Sequence, residues 1–453
     1  MQTETLTEKT RTDSAGDFIA RIFAVLDNAA ISYALVRGHN ELFAVDSYLE
    51  IDMLLQKQQL PEFASVVKDL GFVEWPSWGH APHRFFLAFD IDTGDWVKLD
   101  VVTELMYGRP IRRFRVDCAD ACLDQRQKDG VYVLSQLHEF VTLFLHGLLD
   151  KGHFRDAHRQ RLIELLDIIG GHENSNAKSL LDKYVSPVFS WETIQQAVRG
   201  SDWNTLLKKQ KKLALRFFVQ QPLSSQWRVV RARGMRLLRG LGFALFRRGI
   251  SVALLAPDGA GKSTLSAALV QDRILKARGV YMGGNLAAST FTLPTTRFLH
   301  QRVKAKNGDP TVKPNANKIL RGLNFCSKVA EQWLRAGIAH YHLLCGRFVV
   351  FDRYIFDSWV NPKPRTLWKR ARWILFEAIL PAPDLVILLD APGQMLYQRK
   401  GEHTPEWLEE QRQRYLQLRA RIPNLRIVDA THDAETVRRE AIALIWKQYG
   451  IKG

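Results

Sequence analysis

The chain has 453 residues, 46% of them hydrophobic and 25% charged, with a formal charge of +17. Those proportions exclude a disordered or low-complexity chain and supply apolar residues for two or three cores, while the cationic excess points to anionic partners. No apolar run reaches the roughly 20 residues of a membrane span, because Arg247 and Arg248 interrupt the longest candidate. The cysteines Cys118, Cys122, Cys326 and Cys345 form no CxxC pair and no zinc-like set with His340 and His342, so reduced thiols of a cytoplasmic protein are expected.

Residues 1–17 read as a polar leader rather than a signal or an anchor. Helical spacing from Phe18 to Leu26 opens an α+β segment read over 18–130, with strands in ISYALVRGH and YLEIDMLL. In the second strand Glu50 and Asp52 alternate with Leu49, Ile51 and Met53, so both carboxylates leave one strand face. A later strand, Trp96 to Val102, carries Asp100. Three carboxylates on neighbouring strands can bind Mg²⁺ and orient a triphosphate; the alternative is the solvated face of an amphipathic strand.

With Gly38 after Val36-Arg37, then Glu50-Ile51-Asp52, then Asp100, this segment resembles the nucleotidyltransferase superfamily. The chain departs from that family's pattern with His39 in place of Ser or Gly and with Glu50 in place of Asp. The resemblance implies a nucleotidyltransferase-like α+β fold and a metal site at Glu50, Asp52 and Asp100.

From Val131 the spacing turns helical, and residues 131–225 read as a helical appendage with Pro187 and Pro222 as punctuation. His138, His146 and His153 interleave with its apolar stripe and read as surface or satisfied core histidines. The basic connector at 226–248 contains arginines and no acidic residue, with Leu237, Leu238, Leu241 and Leu245 on one helical stripe. It packs on the protein or lies apolar side down on an anionic membrane, at the inner face of which a cytoplasmic protein would sit. Too few aromatics accompany it for a single-strand platform, so nucleic acid is not expected as a partner.

The segment ISVALLAPDGAGKSTL reads as strand, phosphate-binding loop and helix. Ala256, Pro257, Asp258, Gly259, Ala260, Gly261, Lys262, Ser263 and Thr264 form the cradle, with Lys262 reaching the β- and γ-phosphates of a bound nucleotide and Ser263 holding Mg²⁺. Ala256 stands where the usual pattern has Gly. Downstream, a strand over Phe348 to Phe351 ends in Asp352-Arg353-Tyr354, where Asp352 can accept Mg²⁺ and Arg353 can clamp an anion. PAPDLVILLD is a second buried strand, followed by a helix carrying Arg399 and Lys400 and a last strand ending in Asp429-Ala430.

In that order, APDGAGKST, Asp352-Arg353-Tyr354, PDLVILLD, Arg399-Lys400 and Asp429-Ala430 resemble the thymidylate kinase-like P-loop kinases, over residues 249–453. The resemblance implies a doubly wound parallel α/β sheet, Asp258 near the acceptor, Arg353 on the acceptor phosphate, and Arg399 or Lys400 in a lid over the ATP phosphates. The reading is an ATP- and Mg²⁺-dependent phosphotransferase acting on a small-molecule acceptor, either a nucleoside monophosphate such as dTMP or a phosphorylated sugar or glycan of surface-polysaccharide synthesis. Two alternatives stay open: a nucleotidyltransferase using Glu50, Asp52 and Asp100 with a regulatory P-loop half, and an ATP-binding scaffold at the membrane surface. The oligomeric state is open, a homodimer being one arrangement.

Overall fold

The computed structural model describes residues 16–37, 48–109, 111–170, 175–246, 248–283, 294, 297–298, 318–360 and 382–452. The leader up to residue 15, Gly38, His39 and the polar loop read at 304–317 lie outside them. The chain divides into two compact units, Met1–Arg239 and Gly240–Gly453.

In the first unit a helix at residues 16–28 (α1) precedes β1 (Tyr33–Leu35), β2 (Tyr48–Leu55), α2 (Leu60–Asp69), β3 (Val73–Trp75), β4 (Arg84–Asp90) and β5 (Asp95–Val102). After β6 (Leu105–Tyr107), β7 (Phe114–Val116) and α3 (Ala119–Asp124), a hairpin of β8 (Gln127–Asp129) and β9 (Val131–Val133) completes a sheet ordered β3-β4-β5-β2-β1-β9-β8. Strand parity sorts its residues. Ile51, Met53, Leu99 and Val101 meet α1 and α2 through Phe18, Ile22, Phe63 and Val67. Leu54 and Val102 leave the other face and pack on the helices that follow.

Those helices are α4 (Gln136–Leu145), running into a π-helical turn His146–Lys151, then α5 (Asp156–Gly170), α6 (Ser175–Val185), α7 (Trp191–Arg199), α8 (Trp203–Lys208), α9 (Gln210–Gln220) and α10 (Pro222–Leu237). The predicted stripe of Phe140, Val141, Phe144, Leu145 and Leu148 is buried in their core. Helix α10 starts on Pro222 and packs inward through Val229 and Ala232 on Ile111. Arg228 Nη1 donates to Arg113 O at 2.9 Å and Arg236 Nε to Gly79 O at 3.0 Å, tying the helix to the α+β part of its unit.

Helix α11 (Arg239–Phe246) leads into the second unit, where β10 (Ser251–Leu255) is wholly buried. The elements α12 (Lys262–Gln271), β11 (Arg278–Tyr281), α13 (Lys318–Leu344), β12 (Val349–Asp352), β13 (Leu385–Asp390), α14 (Gly393–Lys400), α15 (Pro405–Gln417), β14 (Leu425–Asp429) and α16 (Ala434–Lys452) follow. Among the described residues of this unit every strand pair is parallel and the order is β11-β12-β10-β13-β14. The chain leaves β10 to one side and later returns to the other, which opens a crevice at the carboxyl ends of the strands. At the opposite end, Asp384 Oδ2 accepts from Ser251 N at 2.7 Å and Oδ1 from Lys452 Nζ at 2.7 Å, pinning the last helix to the first strand. Among the described residues no helix is long and apolar enough to cross a membrane, and the four cysteines are unpaired.

Candidate active site

The crevice is built around the turn between β10 and α12. Gly259 and Gly261 take φ of 90° and 89°, the left-handed region in which a side chain is strained. A Cβ at Gly259 would stand 2.7 Å from Leu396 O of α14. Ala256 is buried and is not among the residues of positive φ, so the substitution for Gly at that position brings no backbone strain. The first turn of α12 opens on Lys262, where unpaired N–H groups and the helix dipole favour an anion.

Lys262 is only 9% exposed, and burial pushes its ammonium below the usual lysine range. Asp357, Asp352 and Asp258 oppose that shift and Arg353 adds to it. Asp352, at the end of β12, pairs in register with Leu254 of β10 and Tyr281 of β11, which sets it beside the cradle. Its Oδ1 is buried and has no hydrogen-bond partner, which leaves an oxygen suited to a divalent cation or its water. With the Ser263 hydroxyl at the start of α12, the donor set fits Mg²⁺.

Arg353 holds φ of 62°, rare for a side chain of this size, and its Nη2 donates to Asp258 Oδ1 at 3.1 Å. The cradle's acidic residue and the strand-end arginine therefore face each other across the crevice. Asp357, a residue the sequence reading passed over, lies on the turn after Tyr354. Tyr415 Oη of α15 donates to its Oδ1 at 2.8 Å and Tyr354 N to its Oδ2 at 3.2 Å. Burial raises its carboxyl pKa, while Lys262, Tyr415 and Arg353 draw it back down. No sequence signal marks Asp357, since Tyr-x-x-Asp lacks the Ser/Thr-x-x-Glu/Gln of a capping box; the bond from Tyr354 N and the reach of Tyr415 place it.

Asp390 is claimed by Arg412, which donates from Nε to Oδ1 at 2.7 Å and from Nη2 to Oδ2 at 2.9 Å. Arg412 Nη1 also donates to Glu409 Oε1 at 2.9 Å, and Glu409 Oε2 accepts from Gly393 N at 2.9 Å, so α15 and the start of α14 are locked to β13. The Arg399-Lys400 pair is engaged differently. Arg399 Nη1 donates to Ala430 O at 2.8 Å, and Lys400 Nζ pairs with Glu402 at 2.9 Å. Lys262, Ser263, Asp258, Asp352 and Arg353 thus gather at the crevice, while Arg399 binds the chain after β14.

In the first unit the carboxylates of Glu50, Asp52 and Asp100 also converge, with one oxygen from each lying within 4.8 Å of the others. Strand register explains it, since Asp52 lies opposite Asp100 and Glu50 opposite Lys98. Each acid already has a base. Lys98 Nζ donates to Glu50 Oε1 at 2.6 Å, Arg37 Nη2 to Asp52 Oδ2 at 2.7 Å, and His83 Nδ1 lies 2.5 Å from Asp100 Oδ1.

No family model matches the chain. A thymidylate kinase of Xylella fastidiosa strain 9a5c is 30% identical over 200 residues, which is 43% of this chain and 89% of the relative. A probable thymidylate kinase of Thermococcus onnurineus is 30% identical over 112 residues, 23% of this chain and 54% of the relative. Among solved structures, a thymidylate kinase from Candida albicans is 17% identical with a TM-score of 0.30, covering 43% of this chain and 90% of that one.

The geometry predicts that Gly259→Ala destabilises the chain by about 1–3 kcal/mol, from the left-handed φ and the overlap with Leu396 O. Urea unfolding checks this; an unchanged midpoint would refute the cradle conformation described here.

Proposed function

The chain belongs to the thymidylate kinase family, and we propose that this kinase transfers the terminal phosphoryl group of ATP to a phosphorylated small molecule. The acceptor is a nucleoside monophosphate such as dTMP, or a phosphorylated sugar or glycan of surface-polysaccharide synthesis. The observation that carries the reading is the meeting of Lys262, Asp352 and the Arg353–Asp258 pair at the carboxyl edge of an all-parallel sheet. Phosphoryl transfer asks the protein for position and charge rather than covalent chemistry. The backbone of 256–264 would cradle the donor phosphates and Lys262 would lie along the bond that breaks. Mg²⁺, held by Ser263 and Asp352, would neutralise charge on the phosphates. Arg353, oriented by Asp258, would hold the acceptor's own anionic group, so that the acceptor oxygen lines up with the donor. Asp357 and Tyr415 would keep Lys262 charged despite its burial.

A nucleotidyltransferase reading of the first unit draws support from the converging carboxylates, but each already has a side-chain partner, Asp52 in Arg37, Glu50 in Lys98 and Asp100 in His83. One assay separates the readings: ADP release from ATP and Mg²⁺ against dTMP, other monophosphates and phosphorylated sugars. Lys262→Ala is expected to lower acceptor-dependent ADP release about 10²–10³-fold, and Asp52→Ala to leave it unchanged. Full activity of Lys262→Ala would overturn the kinase site, and nucleotide binding without acceptor-dependent release would leave a scaffold.

We infer peripheral contact with an anionic membrane from α10, which is apolar on two sides. Ser225, Val229 and Ala232 face its own unit, while Leu223, Trp227, Val230 and Leu237 recur at helical spacing on the outside, Trp227 66% and Leu237 87% exposed. Exposed Arg231 and Arg233 flank that outer stripe, suited to phosphate headgroups. Co-sedimentation with phosphatidylglycerol vesicles at low salt is expected, weakening with added salt and with Trp227→Ser/Leu237→Ser. Equal binding of phosphatidylcholine vesicles, or no binding, would remove this contact.

A further inference from the structure

The first unit contains a cavity that neither the kinase chemistry nor the carboxylate cluster uses. It has a volume of about 170 Å³ and is walled by the segment at Gly79–Ala81, the turn after β6, the end of the π-helical turn and α10. Arg109, Arg112, Lys151 and Arg236 line it, against a single carboxylate, Asp150.

That carboxylate is already committed. Asp150 Oδ1 accepts from Gly108 N at 2.7 Å, Oδ2 lies 3.0 Å from His146 Nδ1, and Arg112 Nε stands further off at 3.7 Å. Two of the arginines are fixed by backbone oxygens: Arg236 Nε donates to Gly79 O at 3.0 Å and Arg109 Nε to Asp150 O. A guanidinium has five N–H donors, so each retains others to present to a ligand without further ordering. Gly79 permits this approach, because a Cβ there would overlap Arg236 Cγ.

The cations repel one another. Burial lowers the Lys151 ammonium below the usual range, and Arg155, Arg37 and Arg112 lower it further against Asp150. Burial, then Arg236, Arg239, His83 and Arg112, does the same to His80 at the cavity wall. A pocket in which Arg109 and Arg236 are anchored, Lys151 is partly desolvated and the cations repel one another gains most from an anion of high charge density.

A second cavity adjoins the first, sharing Arg112 and Asp150, and is lined by Met53, Pro82, Met106, Tyr107 and Thr142 as far as Asp52 and Asp100. We propose that the first unit binds the phosphate group of a phosphorylated small molecule on Arg112, Lys151, Arg109 and Arg236, the adjoining cavity of about 40 Å³ having room for waters beside Tyr107 and Thr142 rather than for a sugar or a base. The site needs no divalent cation, since its own cations meet the phosphate directly.

The test is calorimetric titration of the full-length Lys262→Ala chain, in which the P-loop is weakened, with inorganic pyrophosphate at low salt without Mg²⁺. One binding event per chain is expected. Lys151→Gln or Arg112→Gln, each added to Lys262→Ala, should raise the Kd at least about 10-fold, the effect of one charge-assisted contact. Lys212→Gln, on the exposed side of α9, should not. ADP, dTMP and a sugar monophosphate as competitors then separate nucleotide from sugar ligands. No heat in the Lys262→Ala chain, or an equal loss with Lys212→Gln, would overturn the site. If Lys151→Gln fails to fold by circular dichroism, Arg112→Gln alone decides. ADP release by the chain with native Lys262 reads the kinase reaction separately, so failure of one proposal does not carry the other.

Discussion

Withdrawing the Lys262 ammonium from water is the constraint on which the carboxyl edge of the C-terminal sheet depends. A buried cation is unfavourable unless opposite charge and hydrogen bonds surround it, and removal of one partner leaves the other charge stranded. Asp357, Asp352 and Asp258 supply that charge, from a turn, a strand end and the cradle itself. Each is held in turn: Asp357 by Tyr415 and Tyr354, Asp258 by Arg353. Asp352 keeps one buried oxygen without a partner. Three carboxylates thus surround two cations, Lys262 and Arg353, and one of them keeps an oxygen suited to a divalent cation.

The first unit solves the reverse problem. Its three acids sit on one sheet face and each lies against a nitrogen side chain, Lys98 on β5, Arg37 just after β1 and His83 just before β4. A short distance along the same cavity system, through Arg112 and Asp150, the balance tips to cations. Helix α10 serves that basic cavity with Arg236 on its inner side and shows water an apolar stripe on its outer side. Its buried apolar contacts are small, Val229 and Ala232 on Ile111, and two arginine bonds to backbone oxygens add to them.

Local pattern made much of this legible. A run of apolar residues into Gly-rich turn and Lys-Ser-Thr specifies strand, loop and helix, because each step depends on neighbours within a few residues. Alternation in YLEIDMLL likewise places Glu50 and Asp52 on one face from a period of two. The leucines read as one helical stripe are all exposed, but the helix breaks among them, with Leu237 ending α10, Leu238 in the break and Leu241 and Leu245 on α11.

What the sequence determined by itself was this set of short-range geometries: where backbone turns, which strand ends carry acids, and which residues share a face. Only the tertiary structure decided the partners. Arg412 reaches Asp390 from 22 residues on, Lys98 reaches Glu50 across 48, and Arg399 goes to Ala430. The basic cavity collects side chains from segments near 80, 110, 150 and 236. The reason is physical: periodicity is a property of neighbouring residues, whereas the pairing of charges depends on strand register and helix packing, which no single stretch of chain encodes.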